Sequence, residues 1–320
     1  MLSRRLHALL LAPKLALVTR SSTAELQKRE LLDAVRRHAS LVADNVQRRD
    51  GGVRATYDEE SVVHFPAFQL AVLPPTNGVH RAELRASLAA EVTEEFRRLL
   101  IHPWTSAGTR HVLIVGCRSL AYLQRQLAMD EVHSVLVVDH ALSALLEAAA
   151  ALVPQYGPRV HFVRSDALFL LQRLVPPATA DVCVAPMPVP FWSESGSYRR
   201  LVTRDFLCVV HSRLRVREDP ADPRGIVTFT DAVPLAEFMM EQLEESRLIV
   251  PWTRKDPAGA YSRWLPSQSL PGREFRQQRL GDVVAWAASK SGATSPQAED
   301  VVQSLDYKRR YYRALAREEE

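Results

Sequence analysis

The sequence predicts an α/β fold built on a doubly wound, mostly parallel β-sheet, and three observations point to it. Four short β-rich apolar runs, "HVLIVG" (111–116), "SVLVVD" (134–139), "RVHFVR" (159–164) and "ADVCVAP" (180–186), follow one another along the middle of the chain. Helical stretches separate them, and strands alternating with helices at this spacing build a parallel sheet covered on both faces. The residues just past these runs, with the later "GIVTFTD" (225–231), are Gly116, Asp139, Asp166, Pro186 and Asp231. In such sheets ligands sit at the carboxyl ends of the strands, near the point where strand order reverses, so these five positions are the ones to examine.

The elements follow in order. The opening 22 residues hold Arg4, Arg5, Lys14 and Arg20, no acid before Glu25, and leucines on one helical face. This is the composition of a mitochondrial presequence, and it places the protein in the mitochondrial matrix. A frayed N-terminal helix is the plainer alternative. Removing those four basic residues leaves 37 of the 41 basic residues against 37 acidic ones, so the pI near 9.1 makes no case for nucleic-acid binding and any basic surface is local.

Residues 23–104 read as a helical and mixed N-terminal extension. A helical pattern covers 24–50 and closes at "RRDGG"; strand-like "VVHFPAFQLAVL" ends at "PPTNG"; and Leu84, Leu88, Val92 and Phe96 recur at helical spacing through 80–100. Residues 105–290 form the sheet domain, with a fifth strand at 225–231, a helix over 232–246 and a last strand in "REFRQQRL" or "VVAWAAS". Residues 291–320 read as a basic, aromatic C-terminal helix. No apolar run approaches the ~18 residues that a membrane helix needs, so no span is expected. Cys117, Cys183 and Cys208 lack paired spacing and no histidine cluster has ligand spacing, so no metal is expected and the cysteines read as reduced, mostly buried thiols.

At the strand ends, "VLIVGCRSLAYL" occupies the place of a glycine-rich first loop. Such loops expose backbone N–H groups and let a nucleotide-like ligand approach the main chain. Only Gly116 remains; Arg118 and Leu120 stand where further glycines are expected. Asp139 ends the second strand 23 residues on, the place from which a carboxylate accepts hydrogen bonds from ribose hydroxyls. Its bland alternative is capping of a helix over 140–151. Asp166 is either the N-cap of a helix over 167–174 or a partner for an adenine amine.

"APMPVPFW" (185–192) leaves the fourth strand with three prolines at every second position. Together with "SDALFLLQRL", "YRRLVTRDFLCVVHSRL" and "GIVTFTDAVPLAEFMMEQLEES", it resembles the tRNA (guanine-N7) methyltransferase family, a branch of the class I S-adenosylmethionine methyltransferases. The likeness covers roughly Arg110 to Leu280. Pro186 and Pro188 match the prolines of that family's Asn-Phe-Pro-Asp-Pro-Trp segment. Arg199, Arg200, Leu201 and Val202 match its Arg-Arg-Leu-Val run, and Thr230 and Asp231 match its Thr-Asp pair.

The resemblance implies a class I methyltransferase-like, Rossmann-like fold. It also implies S-adenosylmethionine held by Gly116, Asp139, Asp166 and Ala167, with Thr230 and Asp231 at the reacting centre. RNA, either tRNA or rRNA, would lie along Arg199, Arg200, Arg309 and Arg310. The sequence departs from the family in three places. Met187 replaces the aspartate that serves guanine recognition, "SESGS" replaces a basic stretch, and Arg276 stands where a glutamate aligns. Two functions therefore stay open: methyl transfer to guanine N7 of RNA, weakened by these changes, or a catalytically inactive descendant serving as a scaffold in a mitochondrial ribonucleoprotein, for example in ribosome biogenesis. Arg118 bears on the choice, because a guanidinium in the pocket would repel a sulfonium.

Two segments mix basic and aromatic residues. "YKRRYYRALAREEE" (307–320) either holds RNA, arginines on phosphates and tyrosines on bases, or packs as an amphipathic helix. "WTRKDPAGAYSRW" (252–264) is a similar candidate.

Overall fold

The computed structural model describes residues 47–49, 52–54, 63–65, 68–72, 93–94, 96–117, 119–129, 133–192, 200–216, 224–246, 252–253, 261–267, 274–275 and 284–290. β1 (Gln47–Arg49) and β2 (Gly52–Arg54) form a small antiparallel hairpin. This corrects the end of the helix expected over 24–50: residues 47–49 are extended and pair with 52–54, while 24–46 lie outside the described residues.

Among the described residues the main sheet has nine strands. They are β3 (Val63–Phe65), β4 (Leu70–Val72), β5 (Arg110–Val115), β6 (His133–Asp139), β7 (Val160–Arg164), β8 (Val182–Pro186), β9 (Gly225–Thr230), β10 (Trp252–Thr253) and β11 (Val284–Lys290), in the spatial order β10-β11-β9-β8-β5-β6-β7-β4-β3. All neighbours from β4 to β9 are parallel, while β3, β11 and β10 join antiparallel. The chain winds outward from β5 through β6 to β7, then returns to the other side of β5 to lay down β8 and β9. The reversal between β5 and β8 is the switch point. This is the doubly wound, mostly parallel, Rossmann-like arrangement expected from the sequence, and its last strand is "VVAWAAS"; Glu274 and Phe275 of "REFRQQRL" lie outside any strand.

The α-helices among the described residues are α1 (His102–Ser106), α2 (Leu120–Met129), α3 (Leu142–Tyr156), α4 (Ala167–Arg173), α5 (Arg204–Arg213) and α6 (Val233–Ser246). Strand period divides β5 cleanly between two cores. Val112 and Ile114 pack with Tyr122, Leu127, Leu145 and Leu152 of α2 and α3. Leu113 and Val115 pack on the opposite face with Trp104, Leu170, Phe206 and Met239 of α1, α4, α5 and α6. Each such apolar side chain stabilises the fold by about 1.5–3 kcal/mol. With both faces covered, the central strands are mainly apolar, with a few buried polar residues such as Ser134, His161 and Thr228.

The stretch read as an N-terminal extension contributes to the same sheet. Leu70 and Ala71 of β4 pair with Phe162 and Val163 of β7, and Trp104, fully buried, donates from Nε1 to Ser134 O at 3.2 Å. At the opposite pole to the switch-point edge, Asp181 accepts from the His111 N–H (2.8 Å), Arg215 and Arg224. No helix among the described residues is long and apolar enough to cross a membrane.

Candidate functional site

β5 ends at Val115 and the chain turns through Gly116, whose φ of +125° suits glycine and strains other residues. The Gly116 N–H donates to Val138 O at 2.8 Å, which ties the turn to β6. Among the described residues a Cβ placed on Gly116 would meet only Pro186, its O at 3.9 Å and its Cγ at 4.0 Å, which leaves the main chain open on that side. The next N–H, of Cys117, donates to Asp139 Oδ2 at 2.7 Å. The turn at Gly116 and the Asp139 carboxylate are therefore adjacent. The Cys117 thiol faces inward towards Ala144 O; burial raises its pKa, and the charges of Asp139 and Glu147 add to the effect. Arg118 lies outside the described residues.

Asp139 is half-buried, and its Oδ1 accepts from the Ala141 N–H at 2.9 Å. It is not the helix cap weighed from the sequence: α3 starts at Leu142, and its N-cap is Ala141. The aspartate instead closes a local turn two residues earlier. Each carboxylate oxygen has one main-chain donor, and an ionised carboxylate offers roughly four acceptor positions, so capacity for ribose hydroxyls remains. The Ser165 N–H donates to Asp139 O at 3.1 Å, which brings the ends of β6 and β7 together, with Asp166 just past the latter. Asp166 caps α4, its Oδ1 accepting from the Phe169 N–H at 3.1 Å. Ala167 is the first residue of α4 and is buried.

On the far side of β8, Thr230 is buried and its Oγ1 accepts from the Ala232 N–H at 3.1 Å. Asp231, half-buried, makes no hydrogen bond or ion pair to another described residue.

The proline segment is held from both ends. Met187, buried with φ +46°, donates its N–H to Phe229 O at 2.9 Å and packs in one apolar cluster with Cys117, Tyr122, Phe229 and Phe275. The position where the resembled family carries a carboxylate is thus an apolar plug. Arg200 donates from Nε to Pro190 O at 2.8 Å and from Nη2 to Phe191 O at 3.4 Å, with its guanidinium 4.5 Å from the Phe238 ring centre. Expected at an RNA surface, Arg200 is half-buried and acts as the clamp of this segment. Arg199, Arg309, Arg310 and Arg276, and the whole of 307–320, lie outside the described residues.

The loop after Gly116 is also fastened by a segment the sequence did not single out as its partner. Ser119 accepts from the Tyr122 N–H at 3.2 Å, capping α2, and donates to Glu274 O. Arg125 pairs with the Glu274 carboxylate and donates to Arg263 O (3.0 Å) and Leu265 O (2.6 Å), while Tyr122 Oη donates to Trp264 O at 2.6 Å. Tyr122, Phe229 and Phe275 form a three-ring contact with centroids 5.4–5.8 Å apart. Tyr261 and Trp264 are fully buried, so these two rings of "WTRKDPAGAYSRW" belong to the core and cannot stack on RNA. Arg125 and Glu274 stand 149 residues apart, and no local pattern pairs them.

No family model matches the chain, and no curated protein matches it. Solved structures do. The 16S rRNA methyltransferase KamB is 16% identical over 64% of this chain and 94% of its own, with a TM-score of 0.38. The 16S rRNA (adenine(1408)-N(1))-methyltransferase from Catenulisporales acidiphilia is 19% identical over 63% and 94%, with a TM-score of 0.37. Phosphoethanolamine N-methyltransferase 2 of Haemonchus contortus, in complex with S-adenosyl-L-methionine, is 13% identical over 85% and 75%, with a TM-score of 0.40.

Proposed function

We propose that the chain binds S-adenosylmethionine at the switch point and transfers its methyl group to RNA, at guanine N7, in the mitochondrial matrix. One observation carries this reading: Asp139 accepts from the Cys117 N–H, so an acid at the end of β6 and an open glycine turn at the end of β5 are adjacent. The described residues fit the adenosine half of the cofactor. Gly116 allows close main-chain approach, the spare acceptor positions of Asp139 suit two ribose hydroxyls, and half-buried Asp166 suits an amine.

When bound, the cofactor supplies an electrophilic methyl group. Guanine N7 offers a lone pair without deprotonation, so the protein's task is positioning, helped by negative charge near the developing cation. In this reading half-buried Asp231, just past the end of β9, supplies that charge. Met187 favours the second reading, a catalytically inactive RNA-binding scaffold in a mitochondrial ribonucleoprotein, because an apolar side chain occupies the acid's place between the prolines.

Calorimetric titration of the purified chain with S-adenosylmethionine tests the site, and radiolabel transfer to RNA separates the readings. Binding with transfer supports the enzyme, and binding without transfer supports the scaffold. No heat of binding at millimolar cofactor rules out the enzyme.

A further inference from the structure

Trp192 is 58% exposed, whereas Trp104 and Trp264 are fully buried. Everything leading to it is fixed. Met187 is anchored to β9, and Arg200 grips the carbonyls of Pro190 and Phe191 while resting on Phe238 of α6. Met187 and Phe191, neither of them glycine, hold left-handed backbone at φ +46° and +44°. Such conformations persist only where the surroundings over-determine them. These contacts lead up to an indole that faces solvent.

The location narrows what it holds. β8 is the neighbour of β5, and Pro186 borders the space beside Gly116, so the segment rises next to the candidate nucleoside site. Among the described residues the exposed large apolar side chains are Met129, Trp192 and Val233, and Val233 opens α6 two residues beyond Asp231 on this same edge. A protein partner needs a contiguous apolar area of several hundred Å². Among the described residues, one indole and one valine do not supply it. A nucleobase needs one ring face, which every base can use.

We propose that Trp192 is a stacking platform for an unpaired RNA base, set at the carboxyl edge of the sheet beside the nucleoside site. The placement rests on the reading of that edge given above. The test uses the full chain and a labelled single-stranded oligoadenylate of about 12 nucleotides, followed by fluorescence anisotropy, with a duplex as control. Trp192→Ala weakens single-strand binding about 5- to 100-fold, Trp192→Phe stays within a few-fold of wild type, and duplex binding and the far-UV spectrum are unchanged.

Unaltered single-strand affinity in Trp192→Ala overturns the proposal, as does failure of the wild-type chain to bind the oligonucleotide. So does loss of self-association in Trp192→Ala, seen by sedimentation with RNA affinity intact, which would assign the indole to a protein contact. Cofactor titration run in parallel keeps the two ideas apart. A Trp192 effect with no cofactor binding leaves the platform standing and removes the enzyme; cofactor binding with no Trp192 effect does the reverse.

Discussion

Asp139→Ala is the perturbation that bears most directly on the proposed site. It removes the acceptor of two main-chain N–H groups, those of Cys117 at 2.7 Å and Ala141 at 2.9 Å. Hydrogen bonds to a charged group contribute about 1.5–3 kcal/mol when buried, but Asp139 is half-exposed to water that can replace it. The unliganded protein therefore loses only about 1–2 kcal/mol. The ligand's contribution is larger. At a hundredfold excess over Kd, binding stabilises the native state by about 2.7 kcal/mol, or about 5–10 °C in Tm for a domain of this size. Thermal denaturation with and without S-adenosylmethionine reads both terms. Wild type shifts upward with cofactor; Asp139→Ala melts slightly earlier and does not shift. An Asp139→Ala protein that retains the full shift would show that the acid serves the turn alone and that the nucleoside site lies elsewhere.

Three further outcomes follow from the packing. Gly225→Ala places a Cβ 2.9 Å from Ser289 Cα on β11 at a φ of +154°, so it lowers stability by at least about 3 kcal/mol in chemical denaturation. Burial pushes the His161 pKa down to about 4 from 6.5, against the opposing pull of the Pro158 carbonyl and with some help from His64. Because the folded state binds the proton less readily, this share of stability is complete above pH 6.5 and fades as pH falls towards 4, by roughly 3 kcal/mol in total. His161→Gln flattens that limb of the stability profile. All three cysteines are buried, with burial raising the pKa of Cys117 and Cys183 and pushing Cys208 up to about 12. A chromogenic disulfide reagent therefore titrates no thiol in the native protein and three after denaturation.

The central strands were legible because a parallel sheet with both faces covered leaves a strong local trace. β5 to β9 coincide with the apolar runs to within two residues, and even the capping of α4 by Asp166 could be read from "SDAL". What stayed hidden was non-local. Nothing near Leu70 announces that β4 lies parallel to β7, and nothing near Arg125 announces Glu274. Side-chain direction was hidden too. The Arg-Arg pair at 199–200 looked like a phosphate site, yet Arg200 turns inward to two carbonyls and a ring. Trp192 was in plain sight after the prolines, but exposure cannot be read from sequence, and a tryptophan there is equally consistent with a core anchor.

The two ends of the sheet use their acids in opposite ways, and the contrast argues for where a ligand belongs. At the amino-terminal end Asp181 is buried and meets a main-chain N–H and two arginines, Arg215 bridging both oxygens and Arg224 on Oδ1. Such a group has no capacity left, and its removal strands two guanidinium groups and a buried N–H, so it is structural. At the carboxyl end Asp139 and Asp231 are half-buried without a cation from any described residue. Asp139 serves its turn through two main-chain N–H groups, whereas for half-buried Asp231 no hydrogen bond to a described residue and no opposite charge compensates the weakened hydration. The cost is offset when hydroxyls, amines or a developing cation complete their shells. Among the described residues Asp139 and Asp231 lie at the carboxyl edge of the sheet without a cationic partner, which makes that edge the place to measure binding first.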